Sequence, residues 1–125
     1  MKQIIHTELA PKAVGPYSQA VMTKDMIYTS GQIPIDPMQG KIVAETIEAQ
    51  TEQVMKNLKA VLATAGVGMD RIVKTTCYLA DIADFAAFNG VYAQYFPENP
   101  PARSCFQVAA LPMGAKVEVE VIAVR

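Results

Sequence analysis

The chain is 125 residues long, one domain's worth, and 51% hydrophobic against 18% charged, so it can bury a substantial core and does not read as a disordered segment. Its formal net charge is −1 with no run of Lys or Arg, which removes the electrostatic footprint expected of a nucleic-acid binder. The 2 cysteines and 1 histidine are too few for a disulfide framework or a zinc site.

The N-terminal stretch MKQIIHTELAPK lacks the apolar run of a signal peptide, and no segment approaches the roughly 20 apolar residues of a membrane span. A cytoplasmic protein is therefore expected. There is no GxGxxG and no P-loop. A charged fraction below the usual quarter hints that another subunit covers part of the surface.

In chain order, KQIIH predicts a short first strand, and TELAPKAVGPYS a loop punctuated by Pro11, Gly15 and Pro16. QAVMTKDMIYTSG predicts two short strands around a turn at Lys24 and Asp25. QIPIDPMQGK, with Pro34, Pro37 and Gly40, predicts loop or turn. Ile47, Val54, Leu58, Val61, Leu62 and Ala65 form one stripe at helical spacing, which predicts a helix over about Thr46 to Ala65, stopped by Gly66. RIVKTTCYLA is rich in β-branched residues and predicts a strand with Cys77 in the core. Asp81 then serves as N-cap of a second helix, about Ile82 to Tyr95, with a stripe of Phe85, Phe88, Tyr92 and Phe96. After Pro97, Pro100 and Pro101, two strands close the chain, about Ala102 to Val108 and Lys116 to Val124, with Leu111–Gly114 in the turn between them.

The order β-β-β-α-β-α-β-β, without repeats or linkers, predicts a single α+β domain over 1–125. Two helices cover only one face of such a sheet. The other face needs a partner, and packing against a second copy is the simplest solution.

The last strands carry unexpected charge. Side chains alternate along a strand. Val117, Val119, Val121 and Ala123 are expected to face the helices, and Glu118 and Glu120 to face away. Arg103, Cys105 and Gln107 share one face of the preceding strand. In a hairpin centred near Leu111 and Pro112, Arg103 lies opposite Glu120, and the basic group and both carboxylates gather on the face away from the helices. Sequence does not fix that register. A plain cross-strand ion pair explains the pattern as well as a site does. Asn89, on the apolar side of the second helix, reads either as a satisfied buried amide or as a polar group held near a ligand.

GPYSQA (Gly15–Ala20), YTSGQIP (Tyr28–Pro34), PARSC (Pro101–Cys105) and KVEVEVIAV (Lys116–Val124) resemble the signatures of the Rid (YjgF) family, and NLKAVLATAG and DIADFAAFNGVYAQYF resemble its helices. The likeness covers essentially the whole chain. It implies a chorismate-mutase-like fold with a mixed six-stranded sheet and two helices on one face. It also implies a homotrimer with a central barrel and active sites in the clefts between subunits. The implied activity is hydrolysis of 2-imino acids, such as 2-iminobutanoate and 2-iminopropanoate, to 2-keto acids and ammonia, without cofactor or metal. Such imines and their enamines come from pyridoxal-phosphate-dependent dehydratases, and removing them protects other enzymes. The resemblance places the substrate-carboxylate arginine on Arg103 and the water-positioning glutamate on Glu118. Tyr17, Ser30, Gly31, Asn89 and Cys105 match further pocket positions. Gln107, Ala110 and the PMGAK turn depart from the archetype beside the pocket.

This chemistry suits these residue types. A guanidinium fork binds a carboxylate through two hydrogen bonds and so fixes which carbon faces the water. A carboxylate that orients the water and takes its proton typically gives about 10²–10⁴-fold. Glu120 reads as a supporting partner of the site or as an ion-pair partner of Lys116 or Arg103. Cys105 reads as a small buried residue beside the ligand more readily than as a nucleophile, because no imidazole is assured as its base. Tyr17 is either a loop anchor or a lid from a neighbouring chain. Ser30 and Gly31 are either a strand end or a place where backbone N–H approaches the ligand. Two other functions compete: a non-catalytic trimer that binds 2-keto acids or acts in a chaperone-like role, and a ribonuclease or translation inhibitor, for which a chain with one histidine and no basic patch is poorly equipped.

Overall fold

The computed structural model describes all of residues 1–125. Strands β1 (Gln3–Ile5), β2 (Ala20–Met22) and β3 (Met26–Thr29) form an antiparallel meander, with β2 and β3 joined at Lys24 and Asp25 as expected. The segment expected to be loop contains a small hairpin of its own, β4 (Ile35–Asp36) and β5 (Lys41–Ile42). Its strands are two residues each, too short for an alternating pattern to show in the sequence.

Helix α1 (Ile47–Thr64) starts where Thr46 Oγ1 accepts the Ala49 N–H at 3.1 Å, and it ends just before Gly66 at φ +88°. Val54, Met55, Leu58, Val61 and Leu62 on its inner side are fully buried. Helix α2 (Phe85–Tyr92) is shorter than the expected Ile82–Tyr95, because 3₁₀ turns at Ile82–Asp84 and Ala93–Tyr95 occupy its ends. Asp81 caps the first of these turns through Ala83 N–H at 2.9 Å.

The remaining strands are β6 (Ile72–Leu79), β7 (Ala102–Gln107) and β8 (Val117–Val124), and the six-stranded sheet runs β1-β2-β3-β8-β6-β7. The expected hairpin of the last two strands does not form. β8 lies between β3 and β6, antiparallel to both, and β7 is an edge strand parallel to β6. The reason is connectivity. β6, α2 and β7 make a crossover unit, the long connection that parallel strands require. The chain after β7 then steps over the end of β6 to reach the slot beside β3. Val108 N–H donates to Leu79 O on one side of that end, and Ala80 N–H to Lys116 O on the other.

The register sorts the side chains. Thr75, Cys77 and Leu79 of β6 sit beside Val121, Val119 and Val117 of β8, all buried under α1 and α2. Arg103, Cys105 and Gln107 of β7 lie beside the same three β6 residues, so they too are on the helix side. Tyr78, Phe106, Glu118, Glu120, Tyr28 and Ile122 are on the other side. That second face carries large apolar side chains open to solvent: Ile4 is 53% exposed, Phe106 47% and Tyr28 41%.

Candidate active site

The sheet overturns the expectation that Arg103 and the two glutamates gather on the face away from the helices. Arg103 points to the helix side and Glu118 and Glu120 to the other, because β6 separates their strands and the parallel register of β7 sets its parity. Each group sits in a hollow of its own.

The first hollow, of about 360 Å³, is lined by Asn89, Tyr92, Phe96, Pro100, Pro101 and Arg103. Residues 85, 88, 89 and 92 share one side of α2, since side chains three and four apart are neighbours on a helix. That side receives the guanidinium. Arg103 Nη1 donates to Asn89 Oδ1 at 2.7 Å. Its Cζ lies 4.8 Å from the Tyr92 ring centre, 5.4 Å from Phe85 and 5.9 Å from Phe88. The Tyr92 hydroxyl is itself fixed, 2.8 Å from Thr75 Oγ1. A planar cation on aromatic faces, with one amide oxygen engaging one nitrogen, keeps further N–H donors for a carboxylate. Asn89 is thus a half-buried partner of the cation. Tyr92 and Phe85, which sequence reading placed in the apolar stripe of the second helix, are neighbours of the cation; the signal was their shared helix side with Asn89.

Cys105 lies beside Arg103 on the same face, next to Cys77 on β6. Burial pushes the Cys77 thiol up to about 12. Burial also raises Cys105, with Arg103 pulling weakly the other way. Both are thiols at neutral pH, which suits packing and not nucleophilic attack.

The second hollow is larger, about 970 Å³, and brings together Tyr17, Ser30, Gly31 and Glu118. Gln32 and Val119 exchange backbone hydrogen bonds of 2.8 and 3.1 Å, which press residue 31 onto β8. The Glu118 carboxylate occupies the space a Cβ on residue 31 would need, so glycine there is a steric requirement of the carboxylate. Ser30 Oγ donates to Ser18 O at 2.6 Å, tying this corner to the Tyr17 loop. The loop is anchored by buried Gln19, which accepts from Thr7 N–H at 2.7 Å and donates to Thr7 O and Pro11 O at 2.9 and 2.8 Å. The Tyr17 hydroxyl accepts from Val14 N–H at 3.4 Å, and the residue is otherwise exposed at the rim.

The two glutamates differ. Glu120 accepts a short hydrogen bond from the Tyr78 hydroxyl, which raises that phenol to about 12; neither Lys116 nor Arg103 is its partner. Glu118 has no such donor. Burial first, and the Glu120 charge second, push its carboxyl above the ordinary range. A half-buried carboxylate with a raised pKa and no internal partner is suited to taking a proton.

A family model described as endoribonuclease L-PSP matches residues 7–125. The chain is 50% identical over 122 residues to "Reactive Intermediate Deaminase A, chloroplastic" of Arabidopsis thaliana, covering 98% of this chain and 65% of that protein. It is 46% identical over 125 residues to "2-iminobutanoate/2-iminopropanoate deaminase" of Homo sapiens, covering 100% of this chain and 91% of that one. Among solved structures, a protein of unknown function of the conserved Rid family, YyfA from Yersinia pestis, superposes with a TM-score of 0.97 at 50% identity, over 100% of both chains.

Proposed function

The chain belongs to the endoribonuclease L-PSP family, the Rid or YjgF family, and from that premise we propose that it hydrolyses 2-imino acids and their enamines to 2-keto acids and ammonia. The substrates meant are 2-iminobutanoate and 2-iminopropanoate, the pair named for the human relative. The observation that carries the reading is the complementarity of the two hollows. One holds a pre-oriented guanidinium, the other an unpartnered carboxylate of raised pKa. On opposite faces of one sheet they cannot meet within a protomer. The working site is therefore a cleft between copies, with Arg103 and Asn89 from one and Tyr17, Ser30, Gly31 and Glu118 from its neighbour.

A homotrimer with its sheets packed into a central barrel, the chorismate-mutase-like arrangement, supplies such clefts. It also covers the apolar face bearing Tyr28, Phe106 and Ile4.

In the cleft, Arg103 grips the substrate carboxylate through two N–H···O bonds. The C=N carbon then lies toward Glu118. Water attacks that carbon of the protonated imine while Glu118 takes one of the water's protons, giving a neutral carbinolamine. Glu118 passes that proton to the nitrogen and then takes the remaining hydroxyl proton as the C–N bond breaks, so the keto acid forms and nitrogen leaves as ammonia, which carries off the proton as ammonium. Water and imine are consumed one for one. The C=N carbon is already electrophilic, so the reaction needs positioning and one base, and the reading includes no cofactor. It goes with a cytoplasmic location near the dehydratases that release imines. No helix is long and apolar enough to cross a membrane. Cleavage of RNA fits less well: neither hollow is lined by the single histidine, His6.

The test generates 2-iminobutanoate from threonine with a dehydratase and follows keto-acid formation. The protein is expected to accelerate it, and Arg103→Ala to abolish the acceleration. Full turnover by Arg103→Ala rejects the anchor. No acceleration by the unaltered protein, with 2-keto acid binding retained, leaves the cleft as a binding site only. A monomeric mass in solution ends the shared-cleft reading.

A further inference from the structure

We infer that the Glu118 hollow selects imino acids with apolar side chains longer than ethyl, and that Met38 and Met113 form the adaptable wall that receives them. The inference rests on the deaminase reading for the position of the carboxylate and the C=N carbon. With the carboxylate on the neighbour's Arg103 and the reacting carbon at Glu118, one substituent of the substrate remains, its side chain. It has to occupy what is left of the hollow.

That space is large and apolar. Within one protomer the hollow measures about 970 Å³, near the upper end of the roughly 300–1,000 Å³ that holds whole drug-sized ligands, so the neighbour and the reacting atoms share it with a side chain for which methyl or ethyl is a small occupant. Half-buried Ile33 and Ile35 stand with Gly31 and Glu118 in its inner part. Val14, Met38 and Met113 stand at its rim on three separate loops, 82%, 88% and 61% exposed. Apart from Lys12, Glu118 is the one charged residue in the lining.

Met113 is also held in an unusual backbone state. Its φ is +57°, in a tight turn closed by Ala115 N–H on Pro112 O at 3.1 Å. A residue with a side chain rarely adopts that conformation, and such residues gather at ligand clamps. The turn places a thioether on the wall facing the β4–β5 hairpin, which carries Met38 between its strands. Thioether chains are unbranched and flexible, so they fit side chains of different length instead of one shape. The selectivity expected is a graded slope and not a sharp cutoff.

The experiment uses the intact protein and a series of imines made by an amino-acid oxidase from alanine, 2-aminobutyrate, norvaline and norleucine. Each methylene that enters the hollow is expected to raise kcat/KM by about 3–4-fold, hence roughly tenfold from ethyl to butyl. The double variant Met38→Ser/Met113→Ser is expected to flatten the slope to less than about twofold over the series. Calorimetric affinities for 2-oxobutanoate and 2-oxohexanoate report the same preference without turnover. A rising affinity ratio that the double variant loses supports the wall even if no imine is turned over, in which case the deaminase reading alone falls. A flat or falling series overturns the proposal, as does a slope that survives both substitutions. Dissociation of the double variant in solution, with the slope intact in each single variant, assigns the methionines to a subunit contact and also overturns it.

Discussion

The Arg103 hollow and the Glu118 hollow are built on opposite logic. The cation is held from every side by α2: an amide oxygen at 2.7 Å and three aromatic rings, one of them pinned by Thr75. The carboxylate is held only by exclusion, in the gap that Gly31 leaves open, and its neighbour Glu120 repels it. An anchor must arrive with its geometry set, because freezing it on binding costs affinity. A base must keep its lone pairs free and its proton affinity high, so partners are withheld from it. One protomer keeps these contrary environments apart; in the proposed shared cleft a second copy joins them.

The largest effects follow from removing either end. Arg103→Ala is expected to lower kcat/KM by roughly 10²–10⁴, the worth of two charge-assisted hydrogen bonds at about 1.5–3 kcal/mol each. Glu118→Gln is expected to lower kcat by about 10²–10⁴ while 2-keto acid affinity stays, since the base acts on water. Mixing the two inactive variants under conditions that exchange subunits sharpens the comparison. If Arg103 and Glu118 of one site come from different copies, random mixing rebuilds about a quarter of the clefts with both native residues. Activity that stays at the level of the single variants after demonstrated exchange breaks the shared-cleft reading.

Gly31 comes next. Gly31→Ala puts a Cβ where the Glu118 carboxylate lies; that carboxylate is the free end of a flexible side chain beside an open hollow, so it is expected to turn aside at small cost in stability, with loss of most of the turnover. In the cycle with Glu118→Ala the losses of turnover are expected to be far from additive, since both substitutions take the same carboxylate from its place. Additive losses mean that the close approach is not what residue 31 is for.

Much of this was legible in the sequence. The buried stripe of α1, its stop at Gly66, the inward valines of β8 and the turn at Lys24 all follow from local pattern. So did the identity of the charged residues, because a guanidinium or carboxylate on an apolar strand has to be explained. Their relative placement was not legible. Parity says which residues of β7 agree with one another, but not which strand lies beside it. A neighbour is chosen by connection length and by which slots other strands fill, and both are properties of the whole chain. The same limit hid the ring of α2 under Arg103, since Tyr92 and Phe85 obey the spacing of a core stripe whatever lies across from them.

A smaller effect tests how the glutamates are coupled. Glu118 must be ionised to act, so kcat/KM is expected to fall as pH drops through its raised pKa. Glu120→Gln removes one of the two causes and leaves burial, so this acid limb is expected to move to lower pH without disappearing. A limb that stays in place shows that Glu120 does not act on Glu118 in the assembled site.

The smallest expected effect lies on the arginine side and separates the ring of Tyr92 from its hydroxyl. Tyr92→Phe keeps an aromatic face under Arg103 and loses only the contact with Thr75 Oγ1. A buried hydrogen bond of that kind is worth about 1 kcal/mol, so Tm should drop by a few degrees while KM for 2-iminobutanoate hardly moves. Tyr92→Leu removes the face as well, and KM should rise several-fold, since a cation–π contact contributes about 0.5–2 kcal/mol. Equal KM values for the two variants, with both still folded, show that Asn89 alone orients the guanidinium and that the rings around it serve only to fill the core.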